Sequence, residues 1–346
     1  MGLFSRHKPH PQPSADARVA IDEFWRWWAS VSDELAAAIP DGRLQQYIEV
    51  LAQRVHSIDP GLAWEFGPGR TSEHRLTVTA EGNPALRRVA RRWLHAAPPA
   101  DPTWTFSDLR QAGHVDSVLS IGGVELALGD LRFLGTPDDN GLDVVVFHPT
   151  FPALPEQLRN QVAFIGLDAA LGEETVELWI GTIGCVLEDP PGSRPLAELR
   201  GVVDEVIAAA TDDGTMGWSV LQGSGPAGPV LVMRLNRLSS IQAPHHDRHA
   251  AVLVPFTDLT PDGWPGRRSL DALHGFENHL RDIVRGSGQL VAVETCAGVR
   301  TMHFYLDSAT PAVAQLEAAI SGWPQGRVIV ESDLDPSWEA VRVFGG

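Results

Sequence analysis

The sequence predicts an α+β protein of successive sandwich modules, the last of them a ferredoxin-like βαββαβ antiparallel sheet with its helices on one face. Three observations carry this reading. Apolar residues recur at three- and four-residue spacing in some segments and at two-residue spacing in others, so helices and strands alternate. Clusters of Pro, Gly and Asp separate those segments. A length of 346 residues exceeds what one ordinary domain needs. The divisions fall at a tail over 1–16, an N-terminal α+β module over 17–115, an acidic middle α+β module over 116–213, and the ferredoxin-like domain over 214–346.

Residues 1–16, rich in Pro, His and Ser, lack periodicity and read as a disordered tail. Ile21, Phe24, Trp25, Trp28, Val31, Leu35 and Ile39 then mark an amphipathic helix, which Pro40-Asp41-Gly42 breaks. A second helix over 44–56 follows, then strands over 62–66 and 74–80. Pro84 opens a helix that reaches Ala96, and a strand runs from Thr103 to Leu109.

The middle module opens with an expected hairpin of 124–133 and 142–147. Next come a helix over 155–171, an extended stretch over 176–187 and a helix over 195–210; Asp212-Asp-Gly marks a boundary. The last module offers strands over 216–222 and 229–238 and a polar loop through His249. A strand over 251–256, a helix over 270–284, strands over 290–296 and 300–307, a helix over 311–323 and a strand over 327–332 complete it. From Ala251 the order is βαββαβ, which two right-handed crossovers lay onto one sheet. Met302, Phe304 and Leu306 supply the buried side of one strand, and Ala312, Leu316, Ala319 and Ile320 a helix stripe. The N-terminal module repeats the helix–strand–strand–helix–strand order, and both modules carry a similar phrase, Asp101-Pro-Thr-Trp104 and Asp335-Pro-Ser-Trp338.

Composition narrows the class of function. With 43% hydrophobic and 21% charged residues the chain is globular. No apolar run approaches the roughly 18 residues that span a bilayer, and the start lacks a secretory core, so a cytoplasmic protein without a membrane partner is expected. Two distant cysteines, Cys185 and Cys296, support neither a disulfide framework nor a CxxC site. The net charge of −17 concentrates in residues 117–250, where 7 basic residues face 18 acidic ones. Such a field repels phosphates and excludes nucleic acid as a general partner.

Several motifs are candidates for chemistry. Gly223-Ser-Gly225-Pro-Ala-Gly228 fits GxGxxG, but a strand follows where a dinucleotide site needs a helix, so a hairpin turn is expected. His245, His246 and His249, with Asp247, are the densest set of possible metal ligands; sequential residues in one loop seldom converge, and no cofactor or metal is expected. Asp138-Asp-Asn-Gly141 resembles a calcium loop but places Phe147 where the bidentate carboxylate belongs, and reads as a turn. Glu294 lies near His303 and Tyr305 on the expected hairpin, where an acid–base pair is conceivable. No GxSxG, Walker or HExxH motif occurs, so no catalytic residue is assigned. Arg87, Arg88, Arg91 and Arg92 form a basic stripe on adjacent helical rows, suited either to an acidic partner or to the chain's own middle segment. Trp25, Trp27 and Trp28 go round their helix, so at least one should face another domain or a partner.

From about residue 214 onward the chain resembles the bacterial domain-of-unknown-function family six-nine-five. The resemblance is carried by Trp218, Leu253-Val-Pro-Phe256, Asp262-Gly-Trp-Pro265, Phe276-Glu277 with Leu280, Val299-Arg-Thr-Met-His-Phe-Tyr305, and Asp335-Pro-Ser-Trp338. It implies a fold similar to the ribonuclease E inhibitor RraB, a small acidic protein that acts by binding an enzyme, and it brings no catalytic residues. The expectation is a non-catalytic regulator, inhibitor or immunity-type factor with an unidentified protein partner, its contacts at Trp25, Trp28, Arg87, Arg88, Arg91 and Arg92. The alternative is an enzyme or small-ligand binder with a site in a cleft between modules, using Glu294, His303 and Tyr305.

Overall fold

A computed structural model describes residues 15–345 except 114, 122, 139, 140, 213 and 214. It is a mixed α/β structure with several separate sheets. The expected tail over 1–16 lies outside the described residues, save that the first helix already starts at Ala15.

The N-terminal part holds α1 (Ala15–Ala38), α2 (Gln45–Ile58), β1 (Ala63–Gly67), β2 (His74–Thr79), α3 (Pro84–His95) and β3 (Trp104–Ser107). Asn83 caps α3 by accepting the Ala85 N–H at 3.1 Å, with Pro84 in the first turn, where no N–H is needed. The sheet order is β1-β2-β3, with β1 antiparallel and β3 parallel to β2. Its core is aromatic: Phe24, Trp28, Trp93 and Trp104 are buried together. Trp25 stacks on Trp93 at 4.8 Å between ring centres and donates its indole N–H to the Trp93 carbonyl at 2.9 Å. Of the three tryptophans, at least one of which is expected to face another domain or a partner, Trp28 is buried in the core of its own module, and Trp25 and Trp27 are half-buried against it.

The middle part corrects two expectations. The stretch 124–133 is not one strand. β5 (Val124–Ala127) pairs with β4 (Val118–Ile121), a short turn over Leu128–Asp130 follows, and only β6 (Arg132–Asp138) makes the hairpin with β7 (Gly141–Phe147). Leu126 and Leu128 lie in one phase of a two-residue period, Leu131 and Phe133 in the other. A single strand would send them to opposite faces, and the turn brings all four into one core. After α4 (Glu156–Leu171), the stretch expected to be extended from Val176 begins as a helix, α5 (Glu173–Trp179), and becomes β8 (Ile180–Cys185) only afterwards. Gly172, at φ 83°, turns the chain between the helices, and Glu173, Val176 and Trp179 then fall on one buried side. With β9 (Arg194–Pro195) the sheet order is β8-β7-β6-β9, backed by α4 and α6 (Leu199–Ala210). The Asp138–Gly141 segment closes the β6–β7 hairpin; Asp139 and Asn140 lie outside the described residues.

A small ladder of β10 (Thr211–Asp212) and β11 (Thr215–Met216) leads into β12 (Trp218–Gly225) and β13 (Gly228–Leu235). Gly225 pairs with Gly228, so the GxGxxG segment is a hairpin turn followed by a strand. Then come β14 (Arg248–Pro255), α7 (Arg267–Ile283), β15 (Gly288–Cys296), β16 (Val299–Leu306), α8 (Ala312–Ala319) and β17 (Ile329–Leu334). The six strands run in the order β12-β13-β15-β16-β14-β17, antiparallel throughout. Leu273 and Leu280 of α7 and Ala312 and Leu316 of α8 share one core with Val252, Met302, Phe304 and Leu306. The opposite face is covered in part by Trp338 and Val341, over Val291, Ala292 and Tyr305.

The two similar phrases are not equivalent in space. Asp101 accepts the Trp104 N–H at 2.6 Å at the entrance of β3, whereas Asp335 follows β17. The last strands differ too, since β3 pairs with β2 whereas β17 pairs with β14, not with the strand before it in the chain.

Candidate functional site

The basic stripe on α3 meets several acidic groups, and most of it lies inside the molecule. Arg87 and Arg88 are only 4% and 5% exposed. Arg88 pairs with the carboxylate of Asp247, which is 0% exposed and also accepts the N–H and the hydroxyl of Ser308 at 3.0 and 2.9 Å. Arg87 pairs with Glu177 of α5 and donates to the Ser240 hydroxyl at 2.8 Å. Arg91 binds Asp108 at 2.5 Å. Of the four arginines expected to meet a partner, then, Arg87 and Arg88 face the middle and C-terminal parts, Arg91 stays within the N-terminal part, and Arg92 is half-buried beside Arg88. Their spacing brings them to two adjacent rows of one helix face, and that face is covered.

Glu173 adds a second tie. Its buried carboxylate accepts the Thr79 hydroxyl at 2.6 Å and the N–H groups of Gly82 and Arg110, both at 3.1 Å. One carboxylate from α5 thus satisfies three donors of the N-terminal part and its exit. The signal in the sequence was the acidic pair Glu173-Glu174 after Gly172, at the start of a helix not expected there.

The histidines do not converge. β14 starts at Arg248, earlier than the alternation of apolar residues indicates, so His249 is a strand residue and meets His303 across the ladder at 3.0 Å. His245 and His246 stay in the loop, with ring centres 4.2 Å apart. No group of three or more His, Cys, Asp or Glu among the described residues could hold a metal ion. Burial lowers the pKa of His246 to about 4 and that of His303 to about 3, with neighbouring His245 and His249 adding to the effect.

Nor do Glu294, His303 and Tyr305 form an open acid–base site. Tyr305 is fully buried, stacked under Trp338 at 4.4 Å, and donates to Asp335 at 2.5 Å. His303 is 8% exposed and lies against Phe344. Glu294 sits opposite Thr301 and Val232, one step along the sheet, where burial raises its pKa. A shallow groove of about 460 Å³ lies elsewhere, between α7 and α8, lined by His279, Ile283, Gln315, Ala318 and Ala319.

Replacing Arg88 by Met leaves Asp247 charged and buried, which should cost about 3–5 kcal/mol in urea unfolding. The double variant Arg88→Met, Asp247→Asn removes the stranded charge while keeping an acceptor for Ser308, and should recover much of that loss. Strictly additive costs would contradict the pairing.

The pH dependence has a definite sign. Below the ordinary histidine value of 6.5 the unfolded chain takes up protons that folded His246 and His303 refuse until about pH 4 and 3, so stability falls with acidification in that window. Asp168 acts the other way. Burial, then Glu173, raises it from 3.8 to about 6, so its folded form holds a proton the unfolded chain lacks between those values. Glu294, raised by burial, acts like Asp168, but burial lowers His245 and His249 as well, so the histidines outweigh the two carboxyls and the melting temperature should decline from pH 6.5 to 4. His303→Gln should make that decline shallower, and an unchanged slope would show that His303 is not its source.

Comparison with known proteins adds a family for part of the chain. Nothing among curated proteins or solved structures matches it. Residues 226–344 match a family described as "Family of unknown function (DUF695)".

Proposed function

We propose that the protein is a non-catalytic cytoplasmic binding protein that acts on another protein as a regulator, inhibitor or immunity-type factor. On this reading its units are those divided at about residues 115 and 213, and the last is a ferredoxin-like module extended by the β12–β13 hairpin. The antiparallel order β15-β16-β14-β17, with α7 and α8 in one shared core, supports that assignment of fold.

The observation that carries the functional reading is the sealing of two of the three polar residues, Tyr305 and His303, while Glu294 stays half-buried on the sheet. Tyr305 and His303 lie under Trp338 and Phe344, out of reach of a substrate, and their hydrogen bonds run to Asp335 and His249. A reactive site needs an open position beside its acid and base. The groove between α7 and α8 is instead wide and partly apolar, a form that suits a docked protein segment better than a small ligand. No helix among the described residues is long and apolar enough to cross a membrane.

The test is co-purification from lysate of the native host, read by mass spectrometry. A reproducible partner should accompany the wild-type chain and the Glu294→Gln variant. It should fall by more than about tenfold with Ala318→Arg, which places a bulky charge on the exposed wall of the groove. No partner with the wild type, or one indifferent to Ala318→Arg and lost with Glu294→Gln, contradicts the reading.

A further inference from the structure

The two edges of the six-stranded sheet are built differently. β17 carries Glu331 and Asp333, both exposed, and acidic side chains along an edge keep other strands away. At the other edge, β12 has no such guard. From Gly217 to Met233 the chain contains no charged residue, although 21% of all its residues are charged. Val220 is 59% exposed and Leu221 40%.

Among the described residues, half of the β12 backbone has no strand partner. The Asn236 N–H donates to the Gly217 carbonyl at 3.0 Å, and the register Trp218↔Leu235 through Gly225↔Gly228 then sets the alternation. Ser219, Leu221 and Gly223 point their peptide groups at β13. Trp218, Val220, Gln222 and Ser224 point theirs away from it, and among the described residues β12 has no other strand neighbour.

We infer that this edge is a self-association surface, on which a second copy of the chain lays its own β12 antiparallel about a two-fold axis at Leu221. That operator pairs Val220 with Gln222 of the other copy and Trp218 with Ser224, so every outward peptide group meets one of the same kind. About eight hydrogen bonds form and the two sheets become one. Leu221 meets itself at a non-hydrogen-bonded position, where facing side chains are closest. The charge pattern is compatible with that occupant. Two chains at −17 each repel one another over most of their surface, and an uncharged strand lets them approach. Strand pairing alone buries less than the area of a standard stable interface, so the dimer should be reversible. This inference is independent of the proposed regulatory role.

Sedimentation equilibrium of the full chain at about 100 µM tests it, a concentration at which a micromolar dimer is largely assembled. The wild type should approach twice its 37.5 kDa mass. Val220→Pro removes an outward N–H without touching the β13 ladder, and Leu221→Lys sets like charges across the axis; each should weaken dimerisation by more than about tenfold while the circular dichroism stays unchanged. Under oxidising conditions Leu221→Cys should cross-link two chains faster than Ser219→Cys does. A monomeric wild type, a dimer that survives both edge variants, or faster cross-linking at position 219 would overturn the inference.

Discussion

An ionised carboxylate with no exposure to solvent, that of Asp247, must be matched by a cation and by donors that stay in place. Arg88 comes from α3 of the N-terminal part, and Ser308 supplies two further donors from beyond β16. Arg87 repeats the arrangement one residue earlier, reaching Glu177 of the middle part and Ser240 of the C-terminal part. One turn of α3 is thereby tied to both other parts of the chain. Such pairs add little to stability against an apolar replacement of the same shape, yet each is costly to break from one side. Their effect is to specify one arrangement of the parts.

The same segment anchors the C-terminal end. The Asp335 N–H bonds to the Asp247 carbonyl at 2.8 Å, and the Trp338 indole donates to the His246 carbonyl at 2.9 Å. Asp335 also accepts the Tyr305 hydroxyl and the N–H groups of Glu339 and Ala340. The phrase Asp335-Pro-Ser-Trp338 thus closes the second face of the sheet. Other residues that carry the family resemblance serve packing as well: Phe276 lies against Trp323, Arg281 covers Trp218 and pairs with Glu277, and Leu280 is fully buried. A set of family-typical residues engaged in this way accounts for a recognisable fold.

Much of this was legible in the chain. Helices with a steady apolar stripe, such as α1, α3 and α7, and strands with clean alternation, such as β16, stand close to where periodicity places them, because one buried face dictates the spacing. The misreadings arose where the phase changes inside an apolar run. The three-residue step from Leu128 to Leu131 hid a turn, and Val176 to Trp179 continued a helix that its β-branched neighbours disguised. The site was less legible than the fold. Four arginines on one helix face predict a charged contact but do not say with what. The acids of Arg87 and Arg88, Glu177 and Asp247, lie 90 and 159 residues further along, and only the tertiary arrangement brings them together.

If the arginine seam makes one cooperative body of the three parts, its loss should uncouple them. Scanning calorimetry is the most direct measurement. The wild-type chain should unfold in a single transition whose calorimetric and van't Hoff enthalpies agree, and the double variant Arg87→Met, Arg88→Met should show at least two resolved transitions. Separate transitions in the wild type, or one undivided transition in the variant at an unchanged temperature, would contradict the account.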